Sequence, residues 1–243
     1  MKKIKLITIF SILLFSSGCI LPIRTTRIIG SGNTITEMRR VSAFNSVQLS
    51  GIGTLYIEQE NKESLEITAE DNIIEYLESG VIGSNLHLEV RDFVNLDPKE
   101  EIIYRLTVKN LEKIEISGLG ELHIGPLETT RLNFKISGSG DADFKDLQSD
   151  SLMIEISGLG NVKVAGKVET QRVELSGAGF YEAEELNSSE AKIKISGTGK
   201  AVVWATDELD VELSGMGKFQ YYGNPNLSKE ISGLGSVESL GVK

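Results

Sequence analysis

The chain has 243 residues, with 35 acidic against 25 basic side chains for a formal charge of −10, 25 glycines, 4 prolines, and a single Cys and Trp. That length fits one sizeable domain or two small ones, and the charge argues against nucleic acid as a partner, because phosphate binding needs Lys and Arg to displace condensed counterions. One cysteine excludes an intrachain disulfide framework and a Cys-rich zinc site, and 40% hydrophobic with 25% charged residues is a globular rather than a disordered composition.

The first 19 residues read MKKIKLITIFSILLFSSGC: a basic head of Lys2, Lys3 and Lys5, an apolar run from Leu6 to Phe15, then small residues up to Cys19. The run is too short to cross about 30 Å of hydrocarbon at about 1.5 Å per helical residue, so residues 1–18 read as a secretory signal peptide. Ser16-Ser17-Gly18-Cys19 resembles a bacterial lipobox, with Ser16 where a Leu is usual. Cys19 is therefore expected to be acylated as the first residue of the mature chain. Cleavage there leaves 22 basic against 35 acidic residues, a charge of −13. Residues 19–36 follow as a lipidated tether, and no later stretch is apolar enough to span a membrane as a helix. Because Ile20 and not Asp follows the cysteine, the outer membrane of a bacterial envelope is the expected location.

Residues 37–111 are irregular. The stretch VSAFNSVQLSGIGTLYIEQENKESLEITAEDN (41–72) holds a strand, a Ser-Gly-Ile-Gly bend, a second strand and then an alternating segment. NLHLEV (85–90) and IIYRLTV (102–108) alternate as well, VNLDPKE (94–100) reads as a turn or an excursion, and DNIIEYLES (71–79), apolar at 73, 74 and 77, reads as one or two helical turns. These residues are expected to form the first coils of a solenoid, or antiparallel hairpins that cap its open end and protect its sheet edges.

From residue 112 to 243 the signal is repetition. Ser-Gly-x-Gly begins at residues 50, 117, 137, 157, 176, 196, 214 and 232, with spacings of 20, 20, 19, 20, 18 and 18 from 117 onward. Both flanks alternate with period two, as in IEISGLGELHI (114–124) and IEISGLGNVKV (154–164), so each repeat is a strand, a bend and a strand. A third side follows, carrying one inward leucine (Leu127, Leu147, Leu186, Leu209). A strand, corner, strand, turn unit of about 18–20 residues is one coil of a parallel β-helix, stacked about 4.8 Å from the next. Stacking joins Ile116, Ile136, Ile156, Leu175, Ile195, Leu213 and Ile231 into one core column. Leu122, Ala142, Val162, Tyr181, Ala201, Phe219 and Val237 form a second, and the bend residues (Leu119, Ser139, Leu159, Ala178, Thr198, Met216, Leu234) a further one. The sequence thus predicts an all-β parallel β-helix of seven to nine coils, and a right hand agrees with the general preference of parallel crossovers. Its bend glycines, Gly158 among them, are expected to adopt backbone angles closed to other residues, with the Ser hydroxyls bonding to the adjacent turn.

The opening VSAFNSVQLSGIGTLYIEQ, with Phe44-Asn45-Ser46-Val47, followed in order by tandem SGLG, SGSG and SGTG coils behind a lipoprotein-like N-terminus, resembles the bacterial head GIN domain family, described as auto-transporter adhesins. The resemblance covers about residues 41–238. It implies a right-handed parallel β-helix on an exported, often lipid-anchored protein, an adhesin role, and no catalytic residues.

Parallel β-helices also carry polysaccharide lyases and hydrolases, which need paired carboxylates or acid clusters with a basic partner. Asp141 and Asp143 are the nearest such pair, and neighbouring coils bring Glu121, His123 and Lys163 beside them. With Phe180, an aromatic on an outward position, these residues make a candidate binding patch. Its blander reading is an outer strand face of mixed charge in water. Trp204, Tyr221 and Tyr222 are further candidates for stacking on a sugar, or for filling the core. SGSGDAD falls short of a Ca²⁺-binding nonapeptide, since the acid does not recur every nine residues, and the two histidines, His87 and His123, lie in different segments. No catalytic, metal or cofactor site is expected. The expected function is a non-catalytic envelope lipoprotein, an adhesin or scaffold binding a glycan or a protein, and self-association is a further expected partnership. The alternative is a lyase or hydrolase using Asp141 and Asp143.

Overall fold

The alternation on either side of each Ser-Gly-x-Gly corner becomes strand, and the computed structural model, which describes residues 25–243, has 70% of its residues in strands and 1% in helix. In chain order the strands are β1 (Thr26–Ile29), β2 (Thr34–Arg39), β3 (Ser46–Leu49), β4 (Ile52–Gln59), β5 (Ser64–Glu70), β6 (Leu77–Ile82), β7 (Asn85–Val90), β8 (Val94–Asp97) and β9 (Ile103–Val108). The repeat region supplies β10 (Lys113–Ile116), β11 (Leu119–Ile136), β12 (Ala142–Ile156), β13 (Leu159–Leu175), β14 (Ala178–Ile195), β15 (Lys200–Leu213), β16 (Lys218–Tyr222), β17 (Asn226–Ile231) and β18 (Ser236–Ser239). The segment 71–79 contains a single 3-10 turn, Ile74–Tyr76, which then runs into β6. Its apolar residues Ile73, Ile74 and Leu77 are all buried under the end of the sheet.

Pairing along the stack is parallel. Before the corner, β7, β3, β10, the C-terminal parts of β11 to β15, and β17 lie side by side; after it, β9, β4, the N-terminal parts of β11 to β15, β16 and β18 do the same. Strands β11 to β14 are long because they continue round a third side, where Leu127, Leu147, Gly166 and Leu186 are neighbours. The result is a β-solenoid of about six turns. That is fewer than the seven to nine expected, because between β4 and β10 the chain folds into antiparallel pairs, β5 with β9 and β6 with β7, and not into further coils. Leu209 is buried as expected, but it stands beside Ala191 in the wall before the corner, not on the third side. The coil that runs from 196 to 214 is two residues short and skips part of that side.

The N-terminal end is closed by antiparallel pairing: β5 lies against both β9 and β2, and β6 against β7. Part of the stretch read as a tether is therefore structured, since β1 pairs with β8 and β2 begins at Thr34. Glu70 fixes this arrangement. Its side chain is fully buried, and its carboxylate accepts N–H groups from Gly32, Lys99 and Glu100. Burial pushes its pKa up, but those three bonds and the nearby Lys99 charge outweigh it, leaving the carboxyl below its ordinary value.

The core follows the expected columns. Ile116 through Leu213 and Leu122 through Phe219 are buried at every level, and only the last coil opens, with Ile231 41% exposed. In that coil Lys229 stands at the position that Val211 and Ile193 fill with apolar side chains one and two levels back. One polar chain crosses the interior: the Tyr181 hydroxyl donates to Gln171 Oε1 (3.0 Å), Gln171 Nε2 to Ser188 Oγ (2.8 Å), and Ser188 Oγ to the Trp204 carbonyl (2.9 Å). Burial pushes the Tyr181 hydroxyl pKa well up, so it remains a donor.

Candidate functional site

Through the corner the parity of the flanks is kept, Gly118 and Gly120 counting with Ile116 and Leu122 and Leu119 with Ser117 and Glu121, and the side chains that the glycines lack leave a groove. At Gly158 a Cβ would point at the coil below, 1.9 Å from the Gly138 carbonyl oxygen; at Gly140 it would meet the Gly120 carbonyl oxygen, again at 1.9 Å. Neither glycine has positive φ, so they are required by the close approach of stacked backbones and not by the bend angle expected from the sequence. With both glycines turned along the stacking axis, the residue between them faces water. The bend column is consequently on the surface: Leu119 is 64% exposed, Leu159 59% and Met216 65%. A simple in-out count from Ile116 or Leu122 through Gly-x-Gly also places these side chains outside, so what the structure corrects is the expectation of an inward bend column. The serines behave closer to expectation, with Ser157 Oγ donating to the Ile136 carbonyl (3.3 Å) and Ser117 Oγ to Ser50 Oγ (3.1 Å).

Between this apolar rim and the next outward column lies an open groove of about 730 Å³, floored by Gly120, Gly140, Gly160 and Gly179. Glu121, Asp141, Asn161 and Phe180 form its second rim, at the first outward position after the corner. Beyond the groove the same column continues through Lys200 and Lys218 to Ser236. Asn161 N donates to Asp141 Oδ1 at 2.8 Å, and Phe180 is 48% exposed, between Asn161 and Lys200.

The structure brings the expected patch together on one face. His123 and Lys163 flank Asp143 across adjacent coils, one outward position beyond the groove. His123 lies 3.8 Å from Glu121 and stacks on Tyr56 (5.0 Å, 19°), over which Arg105 sits at 5.0 Å. Tyr56 was legible in principle, since it follows Ser50 by the same six residues that separate His123 from Ser117; Arg105, in the non-repetitive cap, was not. Asp143 is already engaged by Lys145. Tyr221 packs against the core and stacks on Phe219, whereas Trp204 and Tyr222 are half-buried neighbours on β15 and β16. Among the described residues no group of three or more His, Cys, Asp or Glu is placed to hold a metal, and no helix is long and apolar enough to cross a membrane. Cys19 lies outside the described residues.

The family model described as "Putative auto-transporter adhesin, head GIN domain" matches residues 43–225. The chain belongs to the head GIN domain family. Its fold is shared with a "putative adhesin" from Bacteroides fragilis at 26% identity and a TM-score of 0.82, over 88% of this chain and 100% of that one. A "putative lipid binding protein" from Parabacteroides distasonis is similar at 25% identity and a TM-score of 0.73, with the same coverage. A "putative adhesin" from Parabacteroides merdae, 22% identical with a TM-score of 0.70 over 88% and 99% of the two chains, has the same fold. No curated protein matches. The head GIN assignment spans the groove and all but the last of the Ser-Gly-x-Gly corners.

Proposed function

We propose that this head GIN protein is a non-catalytic binding scaffold of the cell envelope whose corner groove holds a linear glycan lying along the solenoid. The observation that carries the reading is the groove itself: an open groove floored by glycine backbone, with Phe180 exposed beside Glu121, Asp141 and Asn161. A half-exposed ring next to carboxylate and amide acceptors suits a sugar, whose C–H face stacks while its hydroxyls donate hydrogen bonds. The adhesin description of the family supports this reading. The carboxylates do not favour a lyase, because Asp143 is paired with Lys145 and Asp141 accepts a backbone N–H.

A glycan array on the purified protein, repeated with Phe180→Ala, tests it. Retained glycans that are lost with Phe180→Ala support the groove, and retention unchanged in Phe180→Ala would refute it. Retention of acyl lipids alone would favour the occupant named for the Parabacteroides distasonis neighbour. Cleavage of polysaccharide that is abolished by Asp143→Asn would favour the enzyme. Acylation of Cys19 and an outer-membrane location belong to the same proposal; a Cys19→Ala protein that still sediments with washed membranes would count against the anchor.

A further inference from the structure

At the far end of the molecule a charged side chain is held by two aromatic rings, at a place unrelated to the groove. β14 and β15 lose register there: Ala183 pairs with Val203, and the next pair is Asn187 with Trp204, so residues 184–186 have no partner on β15, although Glu185 and Leu186 keep theirs on β13. The bulge follows from the repeat lengths, as the coil starting at Ser176 is 20 residues long and the next only 18. It leaves the Glu184 carbonyl free of the ladder and brings Glu185 beside it. Trp204 and its register neighbour Tyr222 form the adjoining wall.

Lys243 fills the space between them. Its Nζ donates to the Glu184 carbonyl (2.6 Å) and to Glu185 Oε1 (2.5 Å), and lies 5.3 Å from the Trp204 ring centre and 5.6 Å from that of Tyr222. The segment carrying it is held by the bonds from Leu240 N to the Tyr221 carbonyl (2.8 Å) and from Gly223 N to the Gly241 carbonyl (2.9 Å). The Lys243 side chain is only 28% exposed. Two ring faces, one carboxylate and one unpaired carbonyl around one nitrogen are the complete set of partners for a primary ammonium: π faces for the charge, and oxygen acceptors for the N–H groups. A quaternary ammonium satisfies the first and not the second.

We infer that Trp204, Tyr222, Glu185 and the Glu184 carbonyl form a binding site for a lysine side chain of a partner polypeptide, occupied in this structure by the protein's own Lys243. The internal lysine competes as a tethered ligand, at an effective concentration on the order of millimolar. A partner lysine therefore engages the site only when it is presented with additional contacts, or when Lys243 has been displaced.

Trp204 is the only tryptophan of the chain, so its fluorescence reads the site directly. The probe is Nα-acetyl-lysine N-methylamide, titrated into wild type, Lys243→Ala, Lys243→Met and the double variant Lys243→Ala/Glu185→Gln. Both single variants should give a saturable change at a concentration about tenfold or more below that needed by wild type. The double variant should lose most of that gain, and the Nε-acetylated probe, which has no charge, should give none. Urea midpoints matching wild type confirm that the variants fold. Non-saturating titrations, equal midpoints for wild type and Lys243→Ala, or equal binding of the acetylated probe would overturn the site. Equal binding of tetramethylammonium or ethanolamine would overturn its assignment to lysine.

Discussion

Replacing Gly158 by Ala isolates the contact on which the stack depends. The added methyl would sit 1.9 Å from the Gly138 carbonyl oxygen and 3.0 Å from that of Ser137. Carbon–oxygen contacts in sheets settle near 3.3 Å, so the coils must separate by about 1.4 Å at that corner. Such a movement breaks the bonds from Leu159 N to the Gly138 carbonyl (3.1 Å) and from Ser157 N to the Ile136 carbonyl (2.9 Å). At about 1 kcal/mol net for each bond, and about 1–3 kcal/mol for strain in the packed interior where Ile156 lies on Ile136, the cost comes to roughly 3–5 kcal/mol. Gly80→Ala is the matched control. Nothing lies within 4 Å of its added methyl, and its φ is not left-handed, so it should be neutral or stabilising by up to about 1 kcal/mol. Urea titrations with unchanged slopes measure both. Equal midpoints for the two variants would show that the glycine column is not held by this contact.

Two further perturbations follow from the ends of the solenoid. The Glu70 carboxyl lies below its ordinary pKa, so its contribution to stability is complete above the unfolded value of about 4.3 and is lost as pH falls through the folded one; Glu70→Gln should flatten that acid limb in denaturant midpoints measured against pH, and an unchanged limb would contradict it. Lys229→Ile restores an apolar residue to the exposed end of a core column, and light scattering should then detect association that the wild-type end resists, because inward-pointing charges guard sheet edges.

The spacing of Ser-Gly-x-Gly was enough to read the coil, since it fixes which Ile and Leu residues meet from one turn to the next. The misplaced column lies at the corners themselves. Period-two counting from Ile116 through to Leu122 puts Leu119 and Leu159 outside with Ser117 and Glu121, and taking the bend residues as a core column set that count aside. What the count could not show is why the flanking residues are glycine, which is the close approach of the stacked backbones. Glu121, Asp141 and Phe180 lie outward, as the same count has them. The site around Lys243 was invisible in sequence for a different reason. It depends on a mismatch between two successive repeat lengths, and on a chain segment that returns across 58 positions to reach Glu185.

The buried polar chain from Tyr181 to Trp204 has a consequence for how such a molecule finds its fold. Coils that read alike can also pair wrongly: skipping one level sets Leu175 against Leu213, and the apolar columns hardly register the error. Gln171 does register it. Its column is otherwise Leu132, Leu152, Ala191 and Leu209, and only the native alignment brings Tyr181 and Ser188 to its amide. A slip that takes β14 away from β13 would bury that amide unpaired, at about 1–3 kcal/mol for each orphaned group. One glutamine in an oily column thus numbers the coils, giving a repetitive chain a single correct phase.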